Sequence, residues 1–505
     1  MRNQHRKYLH IVTYIFIALI AAVGCSLPSY AGANDIDSVR CFAEVKASFS
    51  SGENTPFWLV NNLQGLGSPE KNNGYVRAAV IKDIDNSRRF SWGAGIDLVG
   101  GWRQTAPFSI HQLYGEVKYR CLGAMLGSKE IWGEFNDPRL SSGNLLFSGN
   151  AMPIPQLRMG IFDYAPFWGT KGWFSVRGYV SFGMFSDSKW QKSWVAPEFN
   201  RNKNVLFHSK GLWIRGGNTD KFPLTGEVGI EMATQFGGTA YLNTEGGEVL
   251  KLPHRLKDWL KAVFPMKGNS SVYWGEAYNV QGNMLGEYNI ALSWMPKADW
   301  SIKAYYEHYF DDQSQMTFEY GWKDGLWGVE VQLPKNHFVS AIVYEYIATK
   351  DQTGPVLNNA NDKVPEQVSG RDNYYGNYLY TAWQHWGMGI GNPLIISPIY
   401  NNHRLNFVST RLLGHHFAFS GNPADNLSYR VLLSYSRNWG TYNRPLPEVK
   451  SNVNGLVEIS WKPKGLGGWY STLGIAGDAG KMIGKSFGGS ITIGYSGAFD
   501  IKRRQ

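Results

Sequence analysis

From Phe90 to Phe499 the chain repeats one pattern: short stretches in which apolar and polar residues alternate, broken by clusters of Gly, Pro, Asn and Asp. Residues 174–184 show it well. Phe174, Val176, Val180, Phe182 and Met184 fall on one side; Ser175, Arg177, Tyr179 and Ser181 fall on the other. Successive side chains of a strand point to opposite faces, so this stretch is apolar on one face and polar on the other. A sandwich would give the same alternation. A chain of 505 residues with 58 glycines and 15% aromatics fits one large closed barrel better, with lipid outside and water within. The pattern predicts an all-β fold, a large antiparallel transmembrane β-barrel.

Read by alternation, the outward faces begin with Phe90, Trp92, Ala94, Ile96, Leu98; Leu113, Val117, Tyr119; and Leu157, Met159, Ile161. They continue through Val228, Ile230, Met232, Phe236; Tyr288, Ile290, Leu292, Trp294; Trp300, Ile302, Ala304, Tyr306; and Trp327, Val329, Val331, Leu333. The C-terminal third adds Tyr429, Val431, Leu433, Tyr435; Val457, Ile459, Trp461; and Ile491, Ile493, Tyr495, Phe499. Trp and Tyr fall towards the ends of these faces, where a membrane interface would place them. At roughly 26 residues per strand plus connection, the chain holds about 16–18 strands in one barrel. The same alternation assigns Arg158, Arg177, Glu227, Glu231, Lys303, Glu307 and Arg430 to the lumen, together with Asp97, Glu116, Lys118, Glu330 and Glu458. Charges of both signs facing one interior can cross-link, so a partly occluded lumen is expected rather than a free diffusion pore.

Two regions break the pattern. Residues 32–75, which include Thr55-Pro56-Phe57-Trp58-Leu59-Val60-Asn61-Asn62, read as an N-terminal segment outside the barrel; a plug, a cap and a first irregular strand are all open readings. Leu252, Leu256, Trp259, Leu260 and Val263 recur at helical spacing between Pro253 and Pro265, which predicts one short amphipathic helix in a long loop. Before them, Arg2, Arg6 and Lys7, the apolar run Ile11 to Val23, and Ser29-Tyr30-Ala31 form a signal peptide over residues 1–31, cleaved after Ala31. A rival reading makes Cys25 a lipidated lipoprotein cysteine. The barrel is expected over residues 76–505.

Mean hydropathy is −0.31, and no later stretch approaches the ~20 apolar residues of a spanning helix. Export without such a helix leaves a secreted soluble protein or an outer-membrane barrel of a Gram-negative bacterium, in contact with outer-membrane lipids. The formal charge of +10 includes three positive residues of the signal, which has no acid, leaving +7 for the mature chain. That balance suits acidic partners such as anionic polysaccharide. Nothing resembles a nucleic-acid module. Cys41 and Cys121 remain after Cys25, and the sequence leaves their pairing open.

No catalytic motif stands out, so the chain is read as not an enzyme. Ala479-Gly480-Lys481-Met482-Ile483-Gly484-Lys485-Ser486 satisfies the loose phosphate-loop pattern, but a glycine-rich stretch of period two follows it, so it reads as a hairpin turn. No cofactor or metal site has support from paired Cys or His motifs. The chemistry lies in aromatic-rich loops: Trp190, Trp194, Tyr273, Trp274, Tyr374, Tyr375, Trp383, Trp386 and Trp439. Trp and Tyr rings pack on the apolar face of a sugar, and nearby amides and charges bond its hydroxyls. Lys192 and Arg371 would help to hold an acidic polymer.

Several stretches resemble the capsule assembly Wzi family, in the form found in Bacteroides-like bacteria. They are Ser142-Gly143-Asn144-Leu145-Leu146-Phe147-Ser148-Gly149-Asn150 running on to Gly160, His208 to Arg215, Gly229 to Gly238, and Gly282 to Tyr288. The resemblance implies an 18-stranded outer-membrane barrel with helical elements near the N-terminus closing the periplasmic side. It also implies a lectin-like role in keeping capsular or exopolysaccharide on the cell. Residues 32–75 show no clear helical bundle. The function expected is non-catalytic polysaccharide binding by a barrel acting as a monomer; a sugar diffusion channel and a barrel hydrolase are the rivals.

Overall fold

The computed structural model describes residues 38–133, 135–255, 258–259, 263, 282–297, 299–311, 316, 322–352 and 372–500. The signal peptide, Tyr273, Trp274, Arg371 and, within the helix expected near Leu252–Val263, residues 256–257 and 260–262 lie outside these residues.

Eighteen strands form one closed antiparallel sheet. They are β1 (Ser38–Gly52), β2 (Asn73–Lys82), β3 (Phe90–Trp102), β4 (Phe108–Tyr119), β5 (Leu122–Ser128), β6 (Gln156–Pro166), β7 (Phe174–Met184), β8 (Leu206–Gly216) and β9 (Leu224–Phe236). The second half is β10 (Asn283–Lys297), β11 (Trp300–Phe310), β12 (Gly325–Gln332), β13 (Ala341–Ala348), β14 (Arg411–Ala424), β15 (Leu427–Gly440), β16 (Pro445–Trp461), β17 (Trp469–Gly480) and β18 (Ser486–Asp500). Each strand pairs with the next, and β1 closes the ring against β18 from Ser38↔Asp500 to Gly52↔Ser486. Closure leaves no unpaired edge, which a barrel in lipid requires.

The barrel therefore begins at Ser38 and not at residue 76. The segment expected outside the barrel divides into two: β1 is a regular wall strand, and residues 53–72 turn inward. The run after Gly480 is the hairpin between β17 and β18.

Up-and-down connectivity sorts the connections by length. The six longest, residues 53–72, 129–155, 185–205, 237–282, 311–324 and 349–410, all lie at one end, here the long-loop end. The other, short-turn end carries both ends of the described chain, Ser38 paired with Asp500.

The outer face is an apolar band edged by aromatic rings. Phe90, Tyr119, Trp294, Trp300, Trp461, Trp469 and Phe499 are exposed near the short-turn end; Phe49, Trp102, Phe108, Trp327 and Phe487 are exposed near the other. Between Phe90 and Trp102 the strand advances about 40 Å, or roughly 30 Å along the barrel axis at a ~40° tilt, close to the height of a lipid-facing band. Met232 and Phe236 share the outward side of β9 but are covered. Met232 packs with Met284 and Phe310, and Phe236 lies edge-on to Trp259 of the following loop. Cys41 and Cys121 are free thiols.

Inside, large side chains need small partners. Trp213 of β8 fills the space beside Gly229 of β9, where an added Cβ would lie 1.9 Å from its ring. Its indole N–H reaches Asn289 Oδ1 of β10 at 3.1 Å, so one side chain ties three strands together.

Candidate functional site

Three of the long connections fold back into the barrel and fill its upper lumen. Residues 53–72 bring in Phe57, Trp58, Leu59 and Val60; residues 129–155 bring Leu140, Leu145 and Leu146; residues 372–410 bring Trp383, Leu394 and Ile395. These side chains form one apolar core with inward wall residues such as Tyr305, Tyr309 and Leu432. Backbone polar groups carried into that core need partners, and inward carboxylates supply them. Glu345 accepts from Ser141 Oγ (2.6 Å), Ser142 N (2.7 Å), Ser142 Oγ (2.5 Å) and Tyr305 OH (2.6 Å). Glu307 accepts from Asn144 Nδ2 (2.7 Å) and Leu145 N (2.9 Å), and Glu287 from Leu146 N (2.8 Å). Asp478 holds Phe57 N at 2.8 Å. The loops also bind one another: Asn392 donates to Ser142 Oγ and Gly143 O, Asn150 Nδ2 donates to Gly389 O at 3.0 Å, and Asn62 N donates to Asn150 Oδ1 at 3.0 Å. The result is a plug cross-linked to the wall.

The lumen-assigned charges lie among these groups or beneath them. Glu307 belongs to the plug anchor. Glu231 accepts from Tyr179 OH, with Arg158 3.5 Å over the same ring. Arg430 pairs with Glu458 at 2.8 Å and reaches Arg139 O of the plug at 2.9 Å. Lys303 donates to Phe135 O, Glu227 pairs with Arg215, and Arg177 lies 4.7 Å over Trp213.

Above the plug, the long loops leave a cleft of about 510 Å³. Its walls carry a concentration of amides: Asn200, Asn373, Asn377, Asn401, Asn406 and Asn443, with Tyr378, Thr381 and Thr441. Hydrogen bonds orient several of them. Asn377 Oδ1 accepts from Leu379 N at 2.8 Å, Asn401 Nδ2 donates to Asn406 Oδ1 at 2.7 Å, and Asn200 Oδ1 accepts from Thr244 N at 3.0 Å. The surrounding backbone is strained, with Thr381 and His403 both at φ 62° and Trp386 at 55°; non-glycine residues held there are enriched at ligand clamps. Two cations line the same space. Arg404 rests 5.1 Å over Phe199, and burial together with the Arg444 charge lowers its pKa. Neither Arg404 nor Arg444 has a carboxylate partner among the described residues.

A tryptophan cluster adjoins the cleft. The helix α1 (Ser188–Trp194) stacks Trp190 on Trp194 with centroids 5.0 Å apart; Trp386 lies 5.9 Å from Trp190, and His403 lies 5.0 Å from Trp194. Leu405 packs into this cluster and also lines the cleft, so the two are continuous. Trp190 itself is only 7% exposed and supports the cluster from beneath, and four other loop aromatics need correction. Tyr374, Tyr375 and Trp383 are at most 1% exposed and belong to the plug core, where no polymer reaches their rings. Trp439 shares the outward side of β15 with the exposed Leu433 and Tyr435, under Lys350 and Arg437, and belongs to the outer face. Lys192 is exposed on α1. Sequence reasoning missed the amides because they come from three separate connections and carry no spacing signal.

One group of potential metal ligands occurs among the described residues: Asp97, His111 and Glu130. An irregularity in β4 turns both His111 and Gln112 inward. The Arg77 guanidinium, 2.6 Å from both Asp97 and Glu130, already supplies the cation there. Burial pushes the Glu130 carboxyl up, but the His111 hydrogen bond and the Arg77 charge outweigh it and hold it below the usual range.

No family model matches the chain, and no curated protein matches its sequence. Among solved structures it is similar to Wzi of Escherichia coli, described as an outer membrane protein involved in group 1 capsule assembly and a carbohydrate-binding β-barrel. The two share 12% identity at a TM-score of 0.55, over 91% of this chain and 85% of that one. OprD of Pseudomonas aeruginosa aligns over 94% of this chain and 98% of its own at 9% identity, with a TM-score of 0.43. At such identity the likeness to Wzi is one of fold, and what it establishes is an outer-membrane barrel architecture of 18 antiparallel strands.

Proposed function

We propose that this protein sits in the outer membrane and binds capsular or exopolysaccharide at its long-loop end without chemical turnover, helping to retain the polymer on the cell. Barrels of this kind place short turns in the periplasm and longer loops outside, which puts the cleft on the cell surface. The observation that carries the reading is the cleft itself: oriented amides and two guanidiniums with no acidic partner among the described residues, beside a tryptophan cluster. Amides exchange hydrogen bonds with sugar hydroxyls, indole faces pack against ring C–H groups, and guanidiniums bind carboxylate or phosphate substituents. An acidic polymer fits this set best. Many such weak contacts along a repeating chain give retention by avidity. The fold of Wzi, itself described as carbohydrate-binding, supports the reading.

A diffusion channel shares the fold but needs an open lumen, and the plug argues against it. Deleting the gene should release polymer into the medium at undiminished total synthesis; polymer that stays cell-bound in the deletant would rule out retention.

A further inference from the structure

Below the plug the described residues leave the lumen unfilled. Two cavities of about 770 and 670 Å³ lie in its short-turn half, each within the ~300–1,000 Å³ range of small-molecule sites. Turn residues line both: Lys171, Gly172 and Asn218 in the larger, Asp83, Asn86 and Arg120 in the smaller. Both therefore face the short-turn end, while the plug shuts them off from the other.

The same three residues, Phe162, Asp163 and Tyr164, line both cavities. Their placement comes from an irregularity in the wall. Ile161 pairs with Gly178 and Ala165 with Val176, so three residues of β6 stand opposite one of β7. Such bulges re-aim side chains and are over-represented beside functional sites.

The lining of the larger cavity is built and charge-matched. The Tyr164 ring lies 3.7 Å from the Arg215 guanidinium and 4.8 Å from that of Arg177, and its hydroxyl donates to Glu227 Oε2 at 3.0 Å. Arg215 also pairs with Glu227. Counted over the whole lining, the cations Lys171, Arg177, Arg215 and Lys303 are balanced by Asp163, Asp220, Glu227 and Glu330. A phosphate site would show excess positive charge, and a lipid site would be apolar. Fixed donors and acceptors in equal supply suit a ligand whose every hydroxyl both donates and accepts. We infer that this vestibule is a second saccharide site, distinct from the cleft, which takes a short neutral oligosaccharide from the short-turn side.

The test uses the mature chain purified in detergent, titrated calorimetrically with maltotetraose, cellotetraose and N-acetylchitotetraose up to about 10 mM, a weak but measurable range. Ser301→Trp fills the larger cavity from β11 without removing any of the charged side chains that line it. The wild type should bind at least one probe, Ser301→Trp should weaken that binding tenfold or more, and Arg404→Gln in the cleft should leave it unchanged. If Ser301→Trp does not give a heat-modifiable, folded barrel, Thr225→Trp on β9 is read in the same way. The inference is overturned if no probe binds, if the filled variant binds like the wild type, or if Arg404→Gln abolishes binding. Inorganic phosphate binding in place of all three sugars would also overturn it.

Discussion

At the long-loop end the inward carboxylates serve the chain itself: Glu345 accepts from Ser141, Ser142 and Tyr305, and Glu307 from Asn144 and Leu145. At the short-turn end Glu227 and Glu330 line open space together with Arg215 and Lys303. The wall offers similar residues at both ends. The difference is that long connections fold back at one end and bury their backbone N–H groups, while turns at the other end line the rim of the lumen but are too short to fold into it and fill it. A buried N–H must find an acceptor, whereas a solvated cavity can keep paired charges in place.

The contrast breaks most completely if the plug is removed. Replacing residues 137–150 by a short Gly-Ser linker should turn a barrel silent in planar bilayers into one with large, stable conductance that admits small sugars in liposome swelling. Equal conductance before and after would mean that the plug does not seal the lumen. Next in size is Glu345→Ala, which strands four donors, Ser141 Oγ, Ser142 N, Ser142 Oγ and Tyr305 OH. With about 1–3 kcal/mol for each buried donor left wholly unpaired and partial relaxation, a loss of about 3–5 kcal/mol should appear in the guanidinium unfolding midpoint. An unchanged midpoint contradicts the anchoring role.

The outer face sets the scale for comparison. Ile96 stands midway between Phe90 and Trp102 and is 44% exposed. Ile96→Arg should destabilise by about 2–4 kcal/mol, as a cation at the bilayer midplane does. A neutral outcome would mean that this face does not meet hydrocarbon.

Smallest is a pH effect at the long-loop end. Asp324, in the connection before β12, accepts from Asp351 N, Gln352 N and Tyr374 OH, and burial pushes its pKa up from 3.8 to about 6. The folded form binds the proton more tightly than the unfolded one. This group's contribution to stability is therefore full below pH ~3.8 and lost as pH rises through ~6, at most about 3 kcal/mol. Hydrogen exchange of the Asp351 and Gln352 amides, corrected for intrinsic rate, should show less protection at pH 8 than at pH 5. Asp324→Asn should remove that difference; if it persists, another group is responsible.

The wall was legible in the sequence because period-two alternation is local. Ile96, Val457 and Ile493 face outward as their spacing requires, and Arg430 opposite Glu458 lies on the polar side. The plug was not legible. Trp383 and Tyr375 have the composition of a surface loop, and only long-range bonds such as Trp383 Nε1 to Leu146 O at 3.0 Å carry them inside. The cleft was hidden for the same reason. In residues 373–378 the aromatics drew the eye, yet Tyr374 and Tyr375 are buried while Asn373 and Asn377 line the opening. Two stretches that carry the family resemblance also meet in space, where Leu146 N donates to Glu287 Oε2 at 2.8 Å; the alternation alone could not pair them.

The most direct measurement is polymer retention in cells that carry the Arg404→Gln/Arg444→Gln double variant in place of the wild type. Both side chains line the cleft, and neither has a carboxylate partner among the described residues. The barrel should therefore reach the outer membrane folded and in normal amount. Shedding of polysaccharide into the medium, approaching that of the deletant, is the predicted result. Polymer that stays cell-bound at the wild-type level, with the double variant present and folded, would contradict the account.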